Sequence, residues 1–207
     1  MTRISRSLAL LIFLCEAIAF AASFSTNLAA HPHASVPLGI LWLMVRYFTI
    51  WTNSLVGVLF GVMLWRKRLF SPALLAALTL WMIIVGAVYH LLLAGDEPLH
   101  GLDWLENFLY HTAVPILLPI WWLIFAPKRA LQWRDAALWL IWPLIYLVYA
   151  EIRGLETGFY PYFFLNLTQL GWNGLAIWCA QFVIAFWIGG LVIIALGRAM
   201  AWLRLTR

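Results

Sequence analysis

Residues 72–94 read PALLAALTLWMIIVGAVYHLLLA, and this stretch decides the fold because it contains no charged residue from end to end. At 1.5 Å per residue, a helix of this length is about 34 Å long, enough to cross the roughly 30 Å hydrocarbon core of a bilayer. Apolar runs of similar length occur near residues 8–28, 39–65, 105–126, 134–150 and 173–197. The sequence therefore predicts an all-α integral membrane protein, a bundle of six transmembrane helices.

The composition agrees with lipid as the solvent. Hydrophobic residues make up 65% of the chain, charged residues only 10%, and the mean hydropathy is +0.93. A water-soluble domain of 207 residues could not cover so much apolar surface with polar side chains. The six spans use up most of the chain, so we expect one membrane domain over residues 1–207, with any functional site inside the bundle or at its rim.

The basic residues predict the orientation of the bundle. All Lys and Arg residues except Arg46 and Arg153 fall at alternate ends of the predicted spans. They are Arg3, Arg6, Arg66, Lys67, Arg68, Lys128, Arg129, Arg134, Arg198, Arg204 and Arg207. By the positive-inside rule, this pattern predicts that both termini are cytoplasmic, and it accounts for the net charge of +5 without a nucleic-acid partner. We expect the protein to lie in a bacterial cytoplasmic membrane.

The second predicted span carries polar and small residues on one helical face. Arg46, Thr49, Asn53, Gly57 and Gly61 follow one another at spacings of three and four residues. The two glycines form a small-xxx-small pair, which is typical of close helix packing in membranes. An arginine inside a span costs about 2.5–3.5 kcal/mol on insertion scales, so it either snorkels to the outer interface or serves a partner or a ligand.

The fourth predicted span begins with Asn107 and carries His111 one to two turns below the outer surface, a depth that matches Thr49. Asn107 lies one turn above the histidine and could orient its ring. Pro115 and Pro119 follow, leave carbonyl groups without donors and can kink the helix. Thr49 and His111 could also have purely structural roles. Threonines in membrane helices commonly bond a carbonyl one turn back, and buried histidines commonly serve as packing residues.

Together, a hydroxyl and an imidazole form an activated nucleophile, in which the imidazole accepts the hydroxyl proton as the oxygen attacks a carbonyl. Equal depth is necessary for such a pair, but the rotation of each helix is not encoded in spacing. We predict that the Thr49 Oγ atom and the His111 ring lie near hydrogen-bonding distance in the outer half of the bundle.

Several motifs around these residues resemble a known family. They are Tyr47-Phe48-Thr49, Tyr110-His111 before Val114-Pro115, Trp142-Pro143-Leu144-Ile145-Tyr146, Arg153-Gly154 and Thr157-Gly158-Phe159-Tyr160-Pro161-Tyr162. Over residues 40–172 the chain is similar to the bacterial branch of the androgen-induced protein family, which includes the androgen-dependent regulator of tissue-factor-pathway inhibitor. The resemblance implies a multi-pass threonine hydrolase that cleaves fatty acid esters of hydroxy fatty acids and needs no cofactor or metal.

The resemblance also assigns roles to residues. It implies that Thr49 is the nucleophile and His111 the general base, acting on a lipid substrate with long acyl chains. Bacterial relatives carry an acidic residue where this chain has Asn166, so no carboxylate is expected there. The remaining candidates for substrate binding or oxyanion stabilisation are Arg46, Asn53, Asn107, Tyr110 and Asn166. We favour Arg46 for a substrate carboxylate, and Asn53 or a backbone amide for the oxyanion.

Three other functions fit parts of the sequence. A haem- or quinone-binding electron carrier would use His90 with His111. A metal-dependent hydrolase would use these histidines, His100 and the acidic residues of loop 95–107, although no tight metal-ligand spacing is present. A transporter or scaffold would use Arg46 and Glu16 as a polar pathway.

Overall fold

The computed structural model describes residues 1–33, 37–95 and 98–205, and 82% of it is helical, with no β-strand among these residues. Six helical segments within these described ranges are long and apolar enough to cross a membrane. They are Arg3–Ala30, Phe48–Arg66, Pro72–Leu93, Gly101–Phe125, Asp135–Thr157 and Leu167–Leu203. The prediction of an all-α membrane protein with six spans is confirmed.

Short irregular turns divide the described residues into nine α-helices. In chain order they are α1 (Arg3–Ala30), α2 (Leu38–Met44), α3 (Phe48–Arg66), α4 (Pro72–Val88), α5 (Gly101–Phe108), α6 (Val114–Phe125), α7 (Asp135–Leu138), α8 (Ile141–Thr157) and α9 (Leu167–Leu205). Tyr89–Leu93 and Leu109–Ala113 form π-helical turns, and Phe163–Leu165 forms a 3₁₀ turn. Helix α9 is interrupted near its start, where Gly171 has a φ of 64° and a ψ of 173° that suit only glycine.

The second span is shorter than predicted. The sequence indicates one helix over residues 39–65, whereas the structure has the short helix α2, a turn at residues 45–47 and then α3. Tyr47 is extended, with φ −100° and ψ 133°, and the indole Nε1 of Trp51 donates to the Val45 carbonyl at 2.8 Å. Arg46 therefore lies in the turn before the span, and the expectation that it sits inside a transmembrane helix is wrong.

Residues 1–127 form the first of two compact units. In it, α1 packs against α3 where the two predicted small residues allow a close approach. A Cβ atom on Gly57 would lie 3.1 Å from the Glu16 Cβ, and one on Gly61 would lie 2.9 Å from the Phe13 ring. The predicted packing role of the glycine pair is confirmed. The indole Nε1 of Trp121 in α6 also donates to the Ser5 carbonyl of α1 at 3.0 Å.

Residues 128–207 form the second unit, which contains α7, α8 and α9. A Cβ atom on Gly190 in α9 would lie 3.0 Å from the Ala136 Cβ in α7, so the two helices are in close contact. Helix α8 ends at Gly158, whose φ of 71° is the left-handed conformation common after helices. Just beyond it, Phe164 stacks among the rings of Tyr162 and Phe182.

Candidate active site

Thr49 and His111 meet in the first unit. Thr49 is the second residue of α3, and its Oγ1 lies 3.3 Å from the Nε2 of His111. Both side chains are half-buried, so neither is sealed from a ligand. The predicted proximity of the two side chains is confirmed, and the Thr49 hydroxyl bonds the imidazole instead of a carbonyl one turn back.

A π-helical turn carries the histidine. In the turn Leu109–Ala113, the Val114 N–H donates to the Leu109 carbonyl, five residues back. Pro115 has no N–H, so the regular α-helical bond to the His111 carbonyl cannot form, and the ladder loosens just before the proline. The predicted effect of the proline on the helix thus appears as a widened turn at the histidine itself.

A main-chain carbonyl orients the imidazole. The Nδ1 of His111 lies 3.2 Å from the Asn107 carbonyl oxygen. A carbonyl only accepts hydrogen bonds, so in the neutral ring Nδ1 carries the proton and Nε2 presents its lone pair to Thr49. Asn107 was expected to orient this ring. It does so through its backbone, which an asparagine shares with any other residue.

The start of α3 provides backbone donors beside the hydroxyl. The first N–H groups of a helix have no acceptor within it, and no side chain caps α3. The amides of Thr49 and Ile50 belong to this turn and point along the helix dipole, which favours negative charge. Asn53 is fully buried, and its Nδ2 donates to the Thr49 carbonyl at 2.9 Å. The backbone amides are therefore better placed as oxyanion donors than Asn53.

The third span supplies contacts that sequence reasoning missed. The Tyr89 ring stacks on the His111 ring with centroids 4.0 Å apart and planes inclined by 18°. The Nε2 of His90 lies 3.1 Å from the Thr112 Oγ1. A Cβ atom on Gly86 would lie 2.9 Å from the Pro115 Cβ. A lone glycine within an apolar span is the signal that could have predicted this close approach.

Three other residues predicted to bind substrate or stabilise the oxyanion lie in different parts of the structure. Arg46 is half-buried in the turn before α3. Tyr110 is 3% exposed and packs in a core with Ala19 and Ile50, which identifies it as a packing residue of the His111 turn. Asn166 lies in the second unit, where its Oδ1 accepts from the Gln169 N–H at 3.1 Å. The asparagine thus caps α9, and its expected part in substrate binding gains no support.

The alternative functions find little in the described residues. The Nε2 atoms of His90 and His111 each lie within hydrogen-bonding distance of a threonine hydroxyl. Within the described ranges, no three His, Cys, Asp or Glu residues group closely enough to bind a metal ion. Asp96 and Glu97, two acids of the suggested metal site, lie outside those ranges. Glu16 of the suggested polar pathway is buried against Gly57.

Comparison of the chain with family models, with curated proteins and with solved structures finds no match.

Proposed function

We propose that this protein is an intramembrane lipid ester hydrolase that uses Thr49 as nucleophile and His111 as general base. The observation that carries the proposal is the chain of two hydrogen bonds from the Asn107 carbonyl through the imidazole to the threonine hydroxyl. A nucleophile, a base and a group that orients the base are the three parts of an acyl-transfer site. In this chain the third part is a backbone carbonyl in place of a carboxylate.

The first half of the reaction forms an acyl-enzyme. The Thr49 oxygen attacks the ester carbonyl carbon while its proton moves to the His111 Nε2. The amides of Thr49 and Ile50 donate to the oxyanion that develops, in the first turn of α3. The tetrahedral intermediate then collapses, the bond to the alcohol oxygen breaks, and the imidazole returns the proton to the leaving alcohol.

The second half releases the acid. Water attacks the acyl carbon, the His111 Nε2 accepts its proton, and the bond to the Thr49 oxygen breaks as the proton passes to that oxygen. The products are a fatty acid and an alcohol, and the dyad returns to its starting state. No cofactor or metal takes part in either half.

The substrate class follows from where these residues lie. Both threonine and histidine belong to helical segments that are apolar enough to cross a membrane, so an ester that partitions into lipid reaches them at high local concentration. We propose a long-chain ester, with fatty acid esters of hydroxy fatty acids as the first substrates to test. Arg46, three residues before Thr49, is the candidate partner for a terminal carboxylate.

A fluorophosphonate probe on the purified protein in detergent tests the nucleophile. We expect labelling of the wild type at Thr49, located by peptide mass spectrometry, and its loss in Thr49→Ala and His111→Gln. Thr79→Ala is the matched control, because Thr79 is a buried threonine of the next span and its hydroxyl donates to the Leu75 carbonyl at 2.9 Å. Labelling that survives Thr49→Ala, or a wild type that neither labels nor cleaves any long-chain ester, would contradict the proposal.

A further inference from the structure

The two π-helical turns face each other, and two side-chain contacts join them. Tyr89 and His90, from the turn after α4, contact His111 and Thr112, from the turn before α6. Tyr89 stacks on His111, and the next residue, His90, is hydrogen-bonded to Thr112. A turn of the third span thus holds two consecutive residues of the turn that presents the imidazole.

The imidazole needs such support because its own helix is weak there. The bond that Pro115 cannot donate would have fixed the His111 carbonyl, and the wider π turn leaves more room for the ring to swing. The Asn107 bond alone holds one edge of the ring, so rotation about that edge can still move Nε2 away from Thr49. A parallel aromatic ring at 4.0 Å covers the face of the imidazole and opposes that rotation.

We propose that Tyr89 and His90 are positioning residues for His111, Tyr89 by stacking on the imidazole and His90 by anchoring the adjacent Thr112. This inference rests on the proposed function, because it assigns the two residues to the orientation of the general base. It goes beyond the dyad in placing part of the active site on the third span.

The contact of His90 with Thr112 could also be read as a second nucleophile and base. Two differences from the first pair argue against that reading. The His90 ring is exposed, whereas His111 is half-buried. His111 has an orienting carbonyl at 3.2 Å on its second nitrogen, and the contact to Thr112 is the only hydrogen bond that the His90 ring makes within the described chain. An imidazole without an orienting partner suits an anchor better than a base.

Steady-state hydrolysis of a long-chain ester gives the kinetic test. Tyr89→Leu removes the stacked ring, and we expect kcat to fall about 10- to 100-fold with KM changed less than about threefold. Tyr89→Phe keeps the ring and should recover most of the rate. Thr112→Val should lower kcat in the same way, and Thr112→Ser should recover it. Leu91→Ala, an exposed position of the same π turn, is the matched control.

NMR of the histidine rings gives a test that needs no turnover. With ¹³C-labelled histidine, the His111 signals are assigned by their loss in His111→Asn, and the stacked Tyr89 ring should shield them. We expect Tyr89→Leu to shift these signals toward those of the exposed histidines and Tyr89→Phe to leave them in place.

The outcomes separate the inference from the proposed function. If the wild type is inactive but Tyr89→Leu shifts the His111 signals, the contact between Tyr89 and His111 is supported and the hydrolase function is refuted. Three results would overturn the positioning role. They are His111 signals that do not move in Tyr89→Leu, a rise in KM in that variant equal to its fall in kcat, and probe labelling at Thr112 instead of Thr49.

Discussion

Substitution of Gly86 by alanine should disable the site without touching either reacting residue. The added Cβ would lie 2.9 Å from the Pro115 Cβ and 3.2 Å from the His111 carbonyl oxygen. Carbon atoms in contact prefer about 3.5–4.0 Å, so α4 and the His111 turn must separate by about 0.6–1 Å. The Cβ of Pro115 belongs to the pyrrolidine ring, which includes the backbone nitrogen and cannot rotate away. The turn itself must therefore shift.

That shift is large compared with the geometry of the dyad. The oxygen and nitrogen of Thr49 and His111 are 3.3 Å apart, and a displacement of this size carries them to about 4 Å, beyond hydrogen-bonding range. A misplacement of about 1 Å can cost 100-fold in rate, so we expect probe labelling of Gly86→Ala to slow about 10- to 100-fold. Overpacking should also cost about 1–3 kcal/mol of stability, partly offset by about 1 kcal/mol of helix propensity.

Gly61→Ala is the matched control for the steric change. Its Cβ would also lie 2.9 Å from the nearest atom, but that atom is at the end of the half-buried Phe13 ring, which can turn aside. We expect a smaller loss of stability and a normal labelling rate. Labelling rates are compared at equal folded fraction, determined from thermal unfolding in the same detergent. Wild-type labelling of Gly86→Ala, or equal losses in both variants, would refute the reasoning.

Three further variants test other parts of the structure. Arg46→Gln should raise KM for esters with a free carboxylate and leave neutral esters unchanged, whereas an equal fall in kcat for both would assign Arg46 to the transition state. Glu16→Met should raise the unfolding temperature, because both carboxyl oxygens of Glu16 are buried without a hydrogen bond from any described residue. Burying such a group costs about 1–3 kcal/mol, and a lower unfolding temperature would contradict this. Asn166→Ala should destabilise by about 0.5–2 kcal/mol through loss of the α9 cap while labelling of Thr49 persists, and loss of labelling would restore Asn166 to the site.

Hydropathy predicts the number of spans well and their interruptions poorly. Six spans emerge from the sequence because each sums over about 20 apolar residues, and an error of a few positions changes little. The break at residues 45–47 escapes that sum, because Val45 and Tyr47 fit an apolar helix as well as they fit a turn. The turn is accompanied by a hydrogen bond from the Trp51 indole to the Val45 carbonyl, a contact between side chain and backbone that no window average contains.

The proposed catalytic pair shows the same division between what is encoded locally and what depends on packing. Residue type and depth suggest Thr49 and His111 from the sequence alone, but their contact requires the rotation of two helices to agree. That rotation depends on close approaches such as Gly86 against Pro115. The glycine signals a close approach in the sequence, but its partner is visible only in three dimensions. The stacked Tyr89 was missed for the same reason, since an aromatic residue near the end of a span is usual in membrane proteins.

The break before α3 changes the chemistry expected of Thr49. In a continuous helix over residues 39–65, the amide of Thr49 would donate to a carbonyl four residues back, and an oxyanion would have to rely on a side chain such as Asn53. Because α3 begins at Phe48, Thr49, the proposed nucleophile, lies in a first turn whose amides have no helical acceptor, at the positive end of the helix dipole. The position of one helix boundary thus decides whether the oxyanion donor must be a side chain or can be the backbone. If this is correct, Asn53→Leu should slow labelling much less than Thr49→Ala, and comparable losses in the two variants would return the oxyanion role to Asn53.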